Sequence, residues 1–102
     1  MNHEIMEKLK IEKVNLEKEG FIIIGLFGSF ARGEEKENSD IDILFELKDE
    51  FYQKFIGWAI TSEIENYKIK LEKKFNRKVD LANKKALTKI GQKYILPELI
   101  YV

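Results

Sequence analysis

A chain of 102 residues in which Lys+Arg and Asp+Glu both number 18 has no net charge. That argues for one domain spanning residues 1–102 and gives no general electrostatic reason to expect nucleic-acid binding. With no cysteine, disulfides, zinc–cysteine sites and thiol nucleophiles are excluded, and the sole histidine, His3, sits near a terminus, which argues against an internal histidine base.

Residues 3–19 read as a helix, with Ile5, Met6, Leu9 and Leu16 as an imperfect apolar stripe and Gly20 as its stop. Residues 21–27 are a continuous apolar run, rich in β-branched side chains, and read as a strand buried on both faces. Gly28-Ser29 ends that strand and opens a short helix at Ser29–Arg32, followed by a polar loop over 33–39. Residues 40–47 form a second strand: Ile41, Ile43, Phe45 and Leu47 share one face, Asp40, Asp42, Leu44 and Glu46 the other. A long helix is expected over roughly 50–75, with Ile60, Ile64, Tyr67, Leu71 and Phe75 at helical spacing and Gly57 marking a kink or close approach. A third strand follows at 78–82. Asn83 then caps a helix over about 84–95, with Leu87, Ile90 and Tyr94 on one face. Pro97 stops it, and 98–102 reads as a last short strand. The alternation of helix and strand predicts an α/β layer with helices packed on a sheet. No apolar run reaches membrane-spanning length and no signal-peptide pattern opens the chain, so a cytoplasmic location is expected.

Three features carry chemistry. Residues i and i+2 of a strand point to one face, about 6–7 Å apart, so Asp40 and Asp42 can bind one ion jointly or two ions together. Magnesium suits such a site, because it prefers oxygen ligands and keeps water and substrate phosphates in its shell. Gly28 lets a backbone approach a phosphate closely, and a helix starting there aims free N–H groups at the anion; the Ser29 hydroxyl adds a donor. Asp80, between Val79 and Leu81, joins the pair if its strand lies beside 40–47. Taken singly, each feature has a plainer reading. Asp-x-Asp also describes a loop end and a solvent-facing strand residue. Ser29 also reads as a helix cap, and Asp80 as an ion-pair partner of Arg77, Lys78 or Arg32. Arg32 can grip a phosphate through its planar fork or pair with Glu34 or Glu35.

The combination is more specific than its parts. Leu26-Phe27-Gly28-Ser29-Phe30-Ala31-Arg32-Gly33, then Ser39-Asp40-Ile41-Asp42-Ile43-Leu44, resembles the signature of the polymerase-beta-like nucleotidyltransferase superfamily: Gly-Ser, then Asp-x-Asp about ten residues on. The short length is similar to that of the minimal nucleotidyltransferases, and the resemblance covers nearly the whole chain. It implies a small mixed β-sheet flanked by helices, and metal-dependent transfer of a nucleoside monophosphate to a hydroxyl. It further implies that Asp40 and Asp42 bind magnesium, as two ions, and that Asp80, by a looser match, supplies the third carboxylate. Gly28, Ser29 and Arg32 would hold the nucleotide.

The resemblance also implies a biological role. Many minimal nucleotidyltransferases are antitoxins of HEPN-domain toxins, and some move AMP from ATP onto a toxin tyrosine, the type VII arrangement. A non-catalytic antitoxin that neutralises by covering its toxin, and a nucleotide-binding subunit of a split small-molecule transferase, are the rival readings. The aromatic residues Phe51, Tyr52, Phe55, Trp58 and Tyr67 exceed what one helix face buries, so part of that surface is expected to meet a partner chain or a second copy.

Overall fold

The computed structural model describes residues 3–102. Four strands form one mixed sheet in the order β3-β2-β1-β4, with β1 at Phe21–Phe27, β2 at Ile41–Leu47, β3 at Val79–Asn83 and β4 at Ile100–Tyr101. β1 runs antiparallel to β2 and β4, and β2 runs parallel to β3. The expected small mixed sheet flanked by helices is therefore what the chain forms.

Helix α1, His3–Glu17, buries Ile5, Leu9, Glu12 and Leu16. Glu12 is the flaw in the apolar stripe: it sits in the core-facing row, 5% exposed, and its charge meets Lys74 at 3.5 Å. Gly20, at φ 95°, turns the chain into β1. The core lies on the face of the sheet that carries Phe21, Ile23, Leu26, Ile41, Ile43 and Phe45. Phe21 stacks on Phe45 at 4.7 Å and on Tyr67 at 4.5 Å.

One irregularity positions the functional end. Phe21 and Ile23 pair with Leu47 and Phe45, but the register then skips Ile24, so that Gly25, Leu26 and Phe27 pair with Leu44, Ile43 and Asp42. This bulge reverses the side-chain alternation. Leu26 enters the core, and the end of β1 arrives beside Asp42. Gly25 is needed for a different reason: a Cβ there would collide with the backbone of Ile100 in β4.

Two expected helices are each divided. The helix expected over 50–75 is α3, Asp49–Lys54, and α4, Trp58–Phe75, separated by extended Phe55 and by Gly57 at φ 61°. The apolar spacing carries the break. Phe51 and Phe55 are four apart, but the next inward residue is Ile60, so the stripe slips by one residue between them. Phe51 and Tyr67 are buried, and Tyr52 and Phe55 pack against the core. Most of the expected aromatic surplus is thus absorbed, leaving Trp58 at 84% exposure. The helix expected over 84–95 is a 3-10 turn, Lys84–Ala86, followed by α5, Lys89–Ile95. Asn83 caps only the 3-10 turn through the Lys85 N–H, and Thr88 caps α5 through the Gly91 N–H. Ile90 and Tyr94, expected on one helix face, are 69% and 73% exposed. A second 3-10 turn, Leu96–Glu98, carries Pro97 and leads into β4.

Candidate functional site

The site forms where β1 ends, β2 begins and β3 runs beside it. Helix α2, Gly28–Arg32, starts directly after β1. Gly28 has φ 74°, a left-handed conformation that disfavours any side chain. It also lies against Asp42, whose carboxylate would collide with a Cβ at this position. Glycine is therefore required twice, by backbone conformation and by contact. Gly33, at φ 71°, ends the helix, and the Glu34 N–H donates to the Ser29 carbonyl at 2.9 Å.

Asp42 and Asp80 are direct partners in the parallel register of β2 and β3, on the sheet face opposite the core. Burial pushes the Asp42 carboxyl up from an ordinary 3.8 to about 6; the charge of Asp80, a hydrogen bond to Asp80 and the charge of Asp40 add to this, and the Arg32 charge opposes it. Asp80 is exposed, whereas Asp40 and Asp42 are half-buried. Among the described residues none of the three forms an ion pair with a lysine or arginine. The plainer reading of Asp80 as partner of Arg77 is not what the chain does. Arg77 instead donates to the carbonyls of Lys36 and Ser39, both at 3.2 Å, and its guanidinium lies 5.2 Å from the centre of the Phe30 ring. It braces the loop that delivers Asp40 and ties that loop to α2. A cleft of about 410 Å³ opens on this side, lined by Ser39, Asp40, Arg77 and Lys78 among others.

The donor chemistry fits a hard divalent cation: carboxylate oxygens, closely paired, without an ion-paired lysine or arginine among the described residues, and costly to ionise together. Among the described residues no three acidic or histidine side chains close into a metal cage. The fit is to a cation held by two carboxylates and completed by water and phosphate oxygens, as magnesium is held in phosphate sites.

Around Gly28, Ser29 and Arg32 the arrangement differs in part from expectation. Arg32 pairs with Glu34 and, at 3.0 Å, with Glu98; Glu35, the other expected partner, is not involved. Glu98 also accepts the Gly28 N–H at 2.9 Å. Sequence reading assigned Glu98 only to a final strand. Nothing in its local pattern points to a residue seventy positions away.

A family model described as a nucleotidyltransferase domain matches residues 8–101. The chain belongs to the nucleotidyltransferase domain family. It is 41% identical over 100 residues to a Methanocaldococcus jannaschii protein named a protein adenylyltransferase, covering 97% of this chain and 92% of that one. It is 40% identical over 101 residues to the protein adenylyltransferase MntA of Thermococcus cleftensis, covering 97% and 93%. In fold it is similar to a minimal nucleotidyltransferase, with a TM-score of 0.71 and 23% identity over 100% of this chain and 97% of that chain. It is also similar in fold to a chain of a toxin–antitoxin structure with AMP-PNP, with a TM-score of 0.68 and 24% identity over 92% and 70%.

Proposed function

We propose that this nucleotidyltransferase moves AMP from ATP to a hydroxyl on a partner protein, a tyrosine of a HEPN-type toxin, and so acts as an antitoxin. The observation that carries the reading is the Asp42–Asp80 carboxyl pair, set against the Gly28-Ser29 turn and, among the described residues, ion-paired to no lysine or arginine. Relatives named protein adenylyltransferases support the reaction, and the toxin–antitoxin neighbour with AMP-PNP supports the kind of partner and nucleotide.

In this reading the Ser29 hydroxyl and the amides at the start of α2 hold the triphosphate. Asp40 and Asp42 would hold magnesium, with Asp80 beside them, and a cation bound there supplies charge neutralisation for the phosphates and the transition state. The acceptor oxygen attacks the α-phosphorus, and a new phosphorus–oxygen bond forms. The bond from the α-phosphorus to the bridging oxygen breaks, and pyrophosphate leaves with that electron pair. Asp80, the exposed member of the pair, is placed to take the hydroxyl proton and pass it to solvent.

The exposed apolar residues Ile56, between α3 and α4, and Trp58, the first residue of α4, favour a second reading. In it the chain neutralises the partner by covering it, without catalysis. Labelled ATP, magnesium and the product of the adjacent gene separate the two. Transfer of label to a partner tyrosine, lost in Asp42→Asn although the complex still forms, is the expected result. Neutralisation by a folded Asp42→Asn protein without any label on the partner would establish covering instead.

A further inference from the structure

Helix α2 has five residues, too few to sustain itself, and its N-cap Phe27 offers no side-chain acceptor. Its first N–H is nevertheless satisfied, because Glu98 Oε1 accepts from Gly28 N at 2.9 Å. The other oxygen of the same carboxylate meets Arg32 Nη1 at 3.0 Å. Gly28 and Arg32 are the first and last residues of α2. One side chain from the 3-10 turn before β4 therefore holds both ends of the helix. The Ser29 hydroxyl makes no hydrogen bond among the described residues, so it stays available while its neighbours are held.

We infer that Glu98 is a positioning residue for nucleotide binding: it clamps α2 so that Ser29 faces the triphosphate beside Asp42. This rests on the reading of the site given above. A charge-assisted cap of this kind is stronger than a neutral one, and it engages the Gly28 N–H and part of the Arg32 fork. The phosphate contacts then fall chiefly to Ser29. Arg32 acts through the clamp.

The test is calorimetric titration of the full chain, with magnesium, by ATP and by adenosine, for wild type, Glu98→Ala and Glu98→Gln, with thermal unfolding of each. Glu98→Ala should weaken ATP by about tenfold, near 1.4 kcal/mol. Glu98→Gln should recover part of that loss, because its carbonyl can still accept the Gly28 N–H. Adenosine, which lacks phosphate, should be unaffected, whereas a general loss of structure would weaken both ligands. Equal ATP affinity in folded wild type and Glu98→Ala would overturn the inference. So would tighter ATP binding by Glu98→Ala, which would make the carboxylate a competitor of phosphate. Wild-type protein that fails to bind ATP would remove the nucleotide reading itself, and the inference with it.

Discussion

The two ends of β2 solve opposite problems. Toward its C-terminal end Phe45 stacks on Phe21, Phe21 stacks on Tyr67, and the Tyr67 hydroxyl donates to Glu19 at 3.2 Å. Toward its N-terminal end Asp42 lies beside a second carboxylate and against a glycine in the left-handed conformation. Two acids sharpen the contrast. Glu12 is the more deeply buried, yet Lys74 neutralises it at 3.5 Å. Asp42 is less buried, has no such partner, and is held among like charges. Depth of burial is not what distinguishes the two acids; the missing counter-charge is. Perturbed carboxyls of this kind mark sites that work on a cation or a proton.

The largest expected effect is at the contact between the two regions of chemistry. Gly28→Ala places a Cβ against the Asp42 carboxylate, at a φ that costs a side chain roughly 1–2 kcal/mol. Asp42 and the turn must then move apart. Since a misplacement of about 1 Å can cost on the order of 100-fold, nucleotide transfer should fall by about that factor. Transfer kinetics and thermal unfolding, measured together, check it. Activity near wild type in Gly28→Ala would show that the contact between Gly28 and Asp42 is not part of the working geometry.

How much of this was legible in the sequence follows the range of each interaction. Asp40 and Asp42 are two residues apart and Gly28-Ser29 is a local turn, so their chemistry was readable from spacing. Asp80 was readable once its strand was seen to be short and apolar on one side; β3 does run beside β2 and brings it to Asp42. The bulge at Ile24 was not readable, because an unbroken apolar run shows no alternation to disrupt. The divided helices left faint local marks: the slip from Phe55 to Ile60, and Thr88 as a second cap. Glu98 left none. It contacts a backbone N–H seventy residues away, and a backbone group has no sequence signature. Arg77, one of three partners offered for Asp80 in its plainer reading, was hard to place for a related reason, since its acceptors are carbonyls rather than acids.

A smaller effect sharpens the contrast between paired and unpaired acids. The folded-state pKa of Asp42, about 6, is above its ordinary 3.8. The folded protein therefore holds this proton more tightly than the unfolded chain. Its stabilising contribution is complete below about pH 4 and is lost as pH rises through about 6. Asp42→Asn lacks this loss and keeps a donor toward Asp80. At pH 7 it should unfold at a temperature a few degrees above wild type, about 1 kcal/mol at most once solvent screening of a half-buried group is allowed for. Magnesium should raise the wild-type unfolding temperature at pH 7 and leave that of Asp42→Asn nearly unchanged. A less stable Asp42→Asn at pH 7 would mean that Asp42 holds the fold together, as Glu12 does.

The smallest effect belongs to the other end of β2. Tyr67→Phe keeps the ring stacked on Phe21 at 4.5 Å and removes only the hydroxyl bond to Glu19. A neutral donor to a half-exposed carboxylate is worth about 1 kcal/mol or less, so near pH 7 the variant should lose about that much stability and no activity. Alkaline pH gives a cleaner signature. Burial first, then the charge of Glu19, pushes the Tyr67 hydroxyl up from 10.0 to about 12. The unfolded chain ionises this group first, so its stabilising contribution is complete below pH 10 and is lost as pH rises through about 12. Phenylalanine has nothing to ionise. The stability difference between wild type and Tyr67→Phe should therefore shrink, and then reverse, across that interval, which chemical denaturation at stepped pH measures directly. A difference that stays constant from pH 9 to 12 would show that Tyr67 ionises equally easily in both states, and that this end of the sheet is not the closed, satisfied counterpart of the aspartate end.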